Sequence, residues 1–439
     1  MMYTMTRRLS HLLVLLWTAP WARAQTLDPA VRELIERMQT RIDSLEKRVA
    51  ELEHEKGTPA QTVAPRPSPE AVHMSHDQAP PPVTAMGEAV QPGYPSLKIN
   101  GFGDINFAAS DLHAPAAGFG AATLLQPRSG FNEGQFVLHF SSALSQKVSV
   151  FGELSLTARS DAGVSVNGSP AAPGFNPEVE RIIVRYDLND YFKLSFGRYH
   201  TPINYWNVAF HHGQWLQTTI SRPEMTQFGG SFIPVHFIGS LVEGAVPAGG
   251  LNLNYNFGLG NGRGQVLSRG GDAGDINNNR AWLVNAFLKP DHPYGLRIGG
   301  AVYRDKLNPL TGPVSREWIE SANLVWMKET PELIAEFANA HHQPIFGGTS
   351  TNSQAFYVQT AYRLPWNQKA WKPYYRFEYI HVPRADALFR TIVPTFNAST
   401  VGVRYDITTF AAFKLEYRHY ERRDLPAING IFTQTSFTF

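Results

Sequence analysis

Val401–Arg418 reads VGVRYDITTFAAFKLEYR, and the order of apolar and charged residues within it decides the fold class. Val401, Val403, Tyr405 and Ile407 alternate with Arg404 and Asp406. Phe413, Leu415 and Tyr417 then alternate with Lys414, Glu416 and Arg418. Successive side chains of a strand point to opposite faces, so each half sorts its apolar residues to one side and its charges to the other. Thr408-Thr409 is short enough between them to join two antiparallel neighbours.

The same period runs through the chain from Ser96 onward. Leu97, Ile99, Ile105 and Phe107 oppose Lys98, Asn100, Asp104 and Asn106. Val148, Val150, Leu154 and Leu156 oppose Ser149, Glu153 and Ser155. Ile182, Val184, Tyr186 and Leu188 oppose Arg181, Arg185 and Asp187, while Leu251, Leu253, Tyr255 and Phe257 oppose Asn252, Asn254 and Asn256. Alternation alone suits a soluble sandwich equally well. The connections discriminate, because long ones (after Ala108, Arg159, Tyr199, Gly260, Asp305, Ala340, Val382) exchange strictly with short ones. The short ones fall at Gln146-Lys147, Asn189-Asp190, Pro247 to Gly250, Pro290 to Gly295, Lys328 to Pro331, Pro365 to Ala370 and Thr408-Thr409, and a medium loop follows Glu421. This order predicts sixteen strands with both ends on the short-loop side, an all-β antiparallel transmembrane β-barrel over 96–439.

Composition agrees. Charged residues are 17% of the chain against a usual quarter or so, aromatics are 12%, and no apolar run reaches the roughly 18 residues that a spanning helix needs. The chain has no cysteine, which excludes disulfides and thiolate chemistry, and a net charge of +2 does not point to nucleic acid. No cofactor is implied.

Three segments precede the barrel. Residues 1–24 carry Arg7 and Arg8, an apolar LLVLLW core and an Ala22-Arg23-Ala24 end, the pattern of a secretory signal peptide. Residues 25–57 form a helix capped by Asp28 with Pro29 at its first position. Its seam of Val31, Ile35, Met38, Ile42, Leu45, Val49 and Leu52 keeps a heptad spacing, and Arg41 and Arg48 would face Glu46 and Glu53 of a parallel partner. Residues 58–95 hold nine prolines among small and polar residues and read as a spacer.

The interval Tyr199–Gly230, YHTPINYWNVAFHHGQWLQTTISRPEMTQFGG, has no two-residue alternation. It connects two strands and is far longer than the usual connection of about 2 to 6 residues. Its aromatic and polar residues need a surface to pack against. The loop is therefore expected to fold into the lumen and narrow it, bringing Tyr199, His200, Tyr205, Trp206, His211, His212, Trp215, Arg222 and Glu224 to the constriction.

The last strand ends Phe437-Thr438-Phe439, which resembles the C-terminal assembly signal of Gram-negative outer-membrane proteins. Signal peptide, coiled coil, spacer and barrel together resemble the porins that carry an N-terminal coiled-coil extension. The GRYHTP, YWN and HHG runs within Gly197–Gly213 resemble the constriction region of phosphate-selective-type and related porins. The resemblance implies a homotrimeric diffusion channel in the outer membrane with its helix in the periplasm. Outer-membrane lipid and the barrel-assembly machinery are its implied partners, and small solutes or anions its cargo. The heptads by themselves favour two strands, whereas the resemblance implies three, and three is the expectation.

By parity Arg181, Arg185, Lys193, Arg297, Arg363, Arg376, Arg404, Lys414 and Arg418 face inward against Glu153, Asp187, Glu336, Glu378, Asp406 and Glu416. The excess of cations predicts a weak anion preference, with Arg181 and Arg185 across from the loop; the competing use of these two is pairing with Glu153 and Asp187 to brace the wall. Competing functions are a structural tether to the cell wall and a channel selective for sugars or aromatic solutes stacked on the loop's rings. Catalysis, by Ser221 or Ser231 with His200, His211, His212 or Glu224, lacks a nucleophile elbow or metalloprotease motif, and adjacent His211 and His212 make a poor metal site.

Overall fold

The computed structural model describes residues 94–111, 130–158, 175–210, 213–227, 232–267 and 274–439. The signal peptide, the coiled coil and the spacer up to residue 93 lie outside the described residues, as do His211, His212 and Ser231.

Sixteen strands close into one antiparallel barrel, each paired with its sequence neighbours and the last with the first. In chain order they are β1 Ser96–Ser110, β2 Gly130–Ala143, β3 Val148–Ala158, β4 Phe175–Asn189, β5 Phe192–His200, β6 His236–Val246, β7 Leu253–Asn261 and β8 Ala281–Leu288. They continue with β9 Leu296–Leu307, β10 Ser315–Met327, β11 Glu332–Pro344, β12 Thr351–Ala361, β13 Trp371–His381, β14 Phe396–Thr408, β15 Ala411–Arg422 and β16 Ile428–Thr438. Two expected long connections are corrected. Those after Asp305 and Ala340 span only 308–314 and 345–350, because the ladders continue as far as Leu307↔Ser315 and His342↔Thr351.

The period-two pattern sets the two faces. On β4, Ile182, Val184, Tyr186 and Leu188 are exposed on the outer surface while Arg181 is buried inside. On β13 the outward set is Trp371, Tyr375, Phe377 and Tyr379 and the inward set Lys372, Tyr374, Arg376 and Glu378. One departure matters for the site. Between β3 and β4 the register steps from Glu153↔Arg181 to Leu154↔Val179, so Glu180 is an extra residue. Such a bulge sends two consecutive side chains to one face, and Glu180 and Arg181 are both buried inside the barrel.

Closure rests on β1 and β16. The ladder runs from Phe102↔Thr438 to Ser110↔Gly430, and Gly101 and Phe439 exchange N–H···O bonds of 3.1 Å in both directions. The Phe439 ring stacks 5.8 Å from that of Phe136. Glycine is required opposite these rings, since a Cβ at Gly101 would overlap the Phe439 ring and one at Gly103 would stand 2.6 Å from that of Phe437. Deleting Phe439 removes both terminal ladder bonds, worth about 1–3 kcal/mol together. The fraction of detergent-extracted chain that migrates as a compact, heat-modifiable band is expected to fall, and an unchanged fraction would show that the end of β16 is dispensable for closure.

Candidate functional site

The described residues of the connection between β5 and β6, 201–210, 213–227 and 232–235, pack inside the barrel. Thr201, Ile203, Trp206, Asn207, Gln217 and Thr219 are fully buried within it. Its two ends are clamped where it begins. His200 pairs directly with His236, Thr201 N–H donates to Val235 O at 2.8 Å, and the Asn207 amide donates to both Thr201 O (2.9 Å) and Val235 O (3.1 Å).

A buried loop must find partners for its backbone groups, and β11, β13, β14 and β15 on the opposite wall supply them. A single helical turn, α1 (Trp206–Ala209), starts against β11, where Glu336 accepts the backbone N–H of Tyr205 and of Trp206 (3.0 Å). Those are donors that a helix start leaves unsatisfied. Tyr357 on β12 donates to the same carboxylate at 2.7 Å and meets Trp206 edge-on. Further along, Thr218 donates to Glu332 at 3.0 Å, Arg404 donates to Trp215 O (2.6 Å) and Gln217 O (3.0 Å), and Lys414 donates to Gln214 O and to Thr219 O (3.2 Å). On β15, Glu416 accepts from Ile220 N–H at 2.9 Å and from Ser221 Oγ at 2.7 Å. On β13, Arg376 donates to Ser221 O (2.8 Å) and to Arg222 O (3.2 Å), and Glu378 accepts from Glu224 N–H at 2.6 Å.

This placement corrects the expected pore lining. Arg376, Arg404, Lys414 and Arg418 point inward as parity requires, yet they are buried between wall and loop and spend their donors on loop carbonyls or on Glu378, Asp406 and Glu416. Arg181 and Glu153 are also buried, paired at 2.5 Å, with Arg181 over the Phe151 ring. Arg185 binds Asp187 (2.6 Å) and Glu243 (3.2 Å) and does border open space. Bracing, the competing use of Arg181 and Arg185, is therefore what the contacts show.

On the other side of the loop lie two neighbouring cavities, both lined by Pro202, Glu243 and Asn256 and together bordered by β3 to β9. Wall residues Arg185, Lys193, Asn254, Asn285, Lys289 and Arg297 face Pro202, Tyr205, Val208 and Ala209 of the loop. Of the expected constriction residues, Tyr199, His200 and Tyr205 border these cavities. Trp206, Arg222 and Glu224 are buried; burial lowers the Arg222 guanidinium to about 9, while Glu180 of β4 opposes the shift. Trp215 lies 5.9 Å from Arg404.

At the loop's neck Glu180, His200 and His236 present ligand atoms within 4.8 Å of one another. His236 Nε2 is 2.7 Å from Glu180, and His200 Nε2 is 3.7 Å from Glu153. Only the bulge brings Glu180 here, and strict alternation hides it. The loop anchors Glu332 and Glu336 were equally unmarked as anchors, since their partners lie over a hundred residues away. Ser221 Oγ donates to the Glu416 carboxylate.

A second loop, after β13, also packs inward through Leu388, Phe389 and Val393. Asp386, after β13, accepts from the N–H of Leu388 and Phe389 (3.0 Å each) and from Ser353 Oγ (2.8 Å), and lies 3.0 Å from His342 Nδ1. Burial pushes its carboxyl up, but hydrogen bonding and charge from His342 and the turn's N–H groups outweigh this and hold it at about 2. A depressed carboxyl stabilises fully above its ordinary value of 3.8 and loses that contribution as pH falls toward about 2. Hydrogen exchange of residues 382–395 is thus expected to accelerate between those values, and protection maintained at pH 2 would contradict the assignment. Arg376→Met leaves Glu378 short of its cation, at a cost of about 3–5 kcal/mol. Arg376→Met/Glu378→Gln should recover part of that loss in thermal melts, whereas equal melts for the two variants would show that charge is not what holds the loop.

No protein-family model matches the chain, and no curated protein does. Solved structures match it in fold. An anion-selective porin from Comamonas acidovorans superposes with a TM-score of 0.54 at 12% identity, over 79% of this chain and 100% of its own. OmpF of Salmonella typhi, solved with daunomycin, gives 0.52 at 11% over 78% and 97%, and OmpT of Vibrio cholerae, expressed in the outer membrane, gives 0.52 at 10% over 80% and 100%. At these identities the likeness is one of fold: the chain has the closed sixteen-strand architecture of outer-membrane porins.

Proposed function

We propose that this chain is an outer-membrane porin, a passive channel for small hydrophilic solutes and not a catalyst, narrowed by the loop after β5 and weakly anion-preferring. The observation that carries the proposal is the inside-out distribution of polarity around a passage. Apolar side chains cover the outer face, inward positions carry charged and amide side chains beside an apolar cluster around the loop, and two cavities of mixed lining, which we read as the passage, lie next to the loop. On β13 the outward residues Trp371 and Tyr379 are eight positions apart. At about 3.3 Å per residue and a tilt near 40°, that separation is roughly 20 Å, close to the apolar band of about 25 Å between the aromatic girdles of such barrels.

The weak anion preference narrows to three of the expected inward cations and gains Lys289. The passage holds Arg185, Lys193, Lys289 and Arg297 against Glu243 and Asp190, an excess of cations without any acidic ring. Stacking of sugars or aromatic solutes has less support, because Tyr199 bonds Ser240 O and Trp206 is buried against Phe210 and Tyr357, leaving Tyr205 as the loop's ring on the passage. Trimeric assembly, export by the signal peptide and a periplasmic coiled coil belong to the same proposal.

Reversal potentials across a planar bilayer in a KCl gradient are expected to show a small anion preference. That preference should vanish in Lys193→Gln/Lys289→Gln/Arg297→Gln and persist in Arg376→Gln, whose charge lies behind the loop. Cation preference in the unmodified protein, or loss of selectivity in the second variant alone, would reject the assignment.

A further inference from the structure

The outer face carries one charge cluster that neither the passage nor the loop uses. At the long-loop end of β9 and β10, Lys306 stands directly across from Arg316, and one pair deeper Arg304 stands across from Trp318. Arg304 is also opposite Trp282 on β8. All alternate with buried inward residues, Tyr303, Asp305 and Leu307 on β9 and Ser315, Glu317 and Ile319 on β10, so they face away from the lumen. The two indoles meet edge-on at 5.5 Å, and the Arg304 guanidinium lies 5.3 Å from the Trp318 ring.

Like charges directly opposed across two strands repel. Among the described residues none of these three cations has a carboxylate within ion-pair distance, and Arg304 Nε is buried without a hydrogen-bond partner. Glu320, on the same face across from Val302, pairs with none of them, and the neighbouring Arg280 is already bound to Asp275 at 2.8 Å. At the same end of the barrel Arg198 and Arg384 are paired with Glu178 and Asp424, and Arg423 donates to Val382 O, whereas the outward positions of β13 to β15 are His381, Asn397, His419 and Glu421. Deeper on β8 to β10 the surface turns apolar with Val284, Ile298 and Leu324. Tryptophan favours the level where lipid chains meet headgroups, and the cations lie just beyond the two indoles, at headgroup height.

We propose that Arg304, Lys306 and Arg316, with Trp282 and Trp318 beneath them, form a docking site for the anionic phosphate headgroup of a membrane lipid. The inference rests on the reading of the barrel as membrane-embedded. A headgroup phosphate answers the opposed charges as no group among the described residues does, and the indoles receive the first segment of its acyl chains. Basic side chains at a membrane surface attract anionic lipid in this manner, and the attraction weakens with salt.

The test uses the full-length protein in phosphatidylcholine nanodiscs with increasing phosphatidylglycerol, read by melting temperature and by lipid retained in native mass spectrometry, beside single-channel recording in pure phosphatidylcholine bilayers. The unmodified protein should melt higher as phosphatidylglycerol rises and retain it preferentially. Arg304→Gln/Lys306→Gln/Arg316→Gln should lose both effects, and Lys306→Gln/Arg316→Gln should lose most of them, with conductance unchanged. An equal shift with inorganic phosphate alone, a triple variant that still responds to phosphatidylglycerol, or a triple variant that instead loses an oligomer would each overturn the lipid site. Failure of the unmodified protein to insert and conduct would overturn the membrane reading and the site with it. Normal conductance without a lipid response would sink only the site.

Discussion

The carboxylate of Glu416, held by Arg418 and reaching Ile220 N–H and Ser221 Oγ, represents the interaction on which the interior depends. A loop placed across a barrel exposes its N–H and C=O groups to side chains instead of a strand ladder, and each must be satisfied there. Glutamates answer the donors and Arg376, Arg404 and Lys414 answer the carbonyls. The paired arrangement also keeps these ions tolerable. Removing one partner strands the other as an uncompensated buried charge, which is why a buried ion pair resists breakage far more than it adds to stability.

The latch makes the interior lopsided. One half of the wall, β11 to β15, is committed to the loop, and the other half, β4 to β9, faces the passage. A count of inward charges over the whole circumference therefore misstates what a solute would meet. Cations that satisfy carbonyls have little field left to offer, while those at the edge of the passage do.

The neck of the loop depends on a different device. One extra residue in β4 turns Glu180 and Arg181 inward together, so that two carboxylates, Glu153 and Glu180, stand beside His200 and His236 where the loop departs. The strand pair that begins and ends the loop is thereby fastened to β3 and β4 by side chains, in addition to its ladder.

Strand number, antiparallel order, facing and the existence of an inward loop were legible in the sequence because each is local. A period of two reports the face of every residue from its neighbours alone, as Ile182 and Arg181 illustrate, and a run without alternation between two strands has to pack somewhere. Tertiary structure decided the rest. Whether Arg376 or Arg185 borders open space depends on where residues 201–235 lie, and that is settled by contacts such as Ile220 to Glu416, which are 196 positions apart. The bulge at Glu180 breaks the very alternation used to assign faces, and Lys306 meets Arg316 only once strands are in register. Periodicity carries the direction of a side chain, whereas its partners come from the fold.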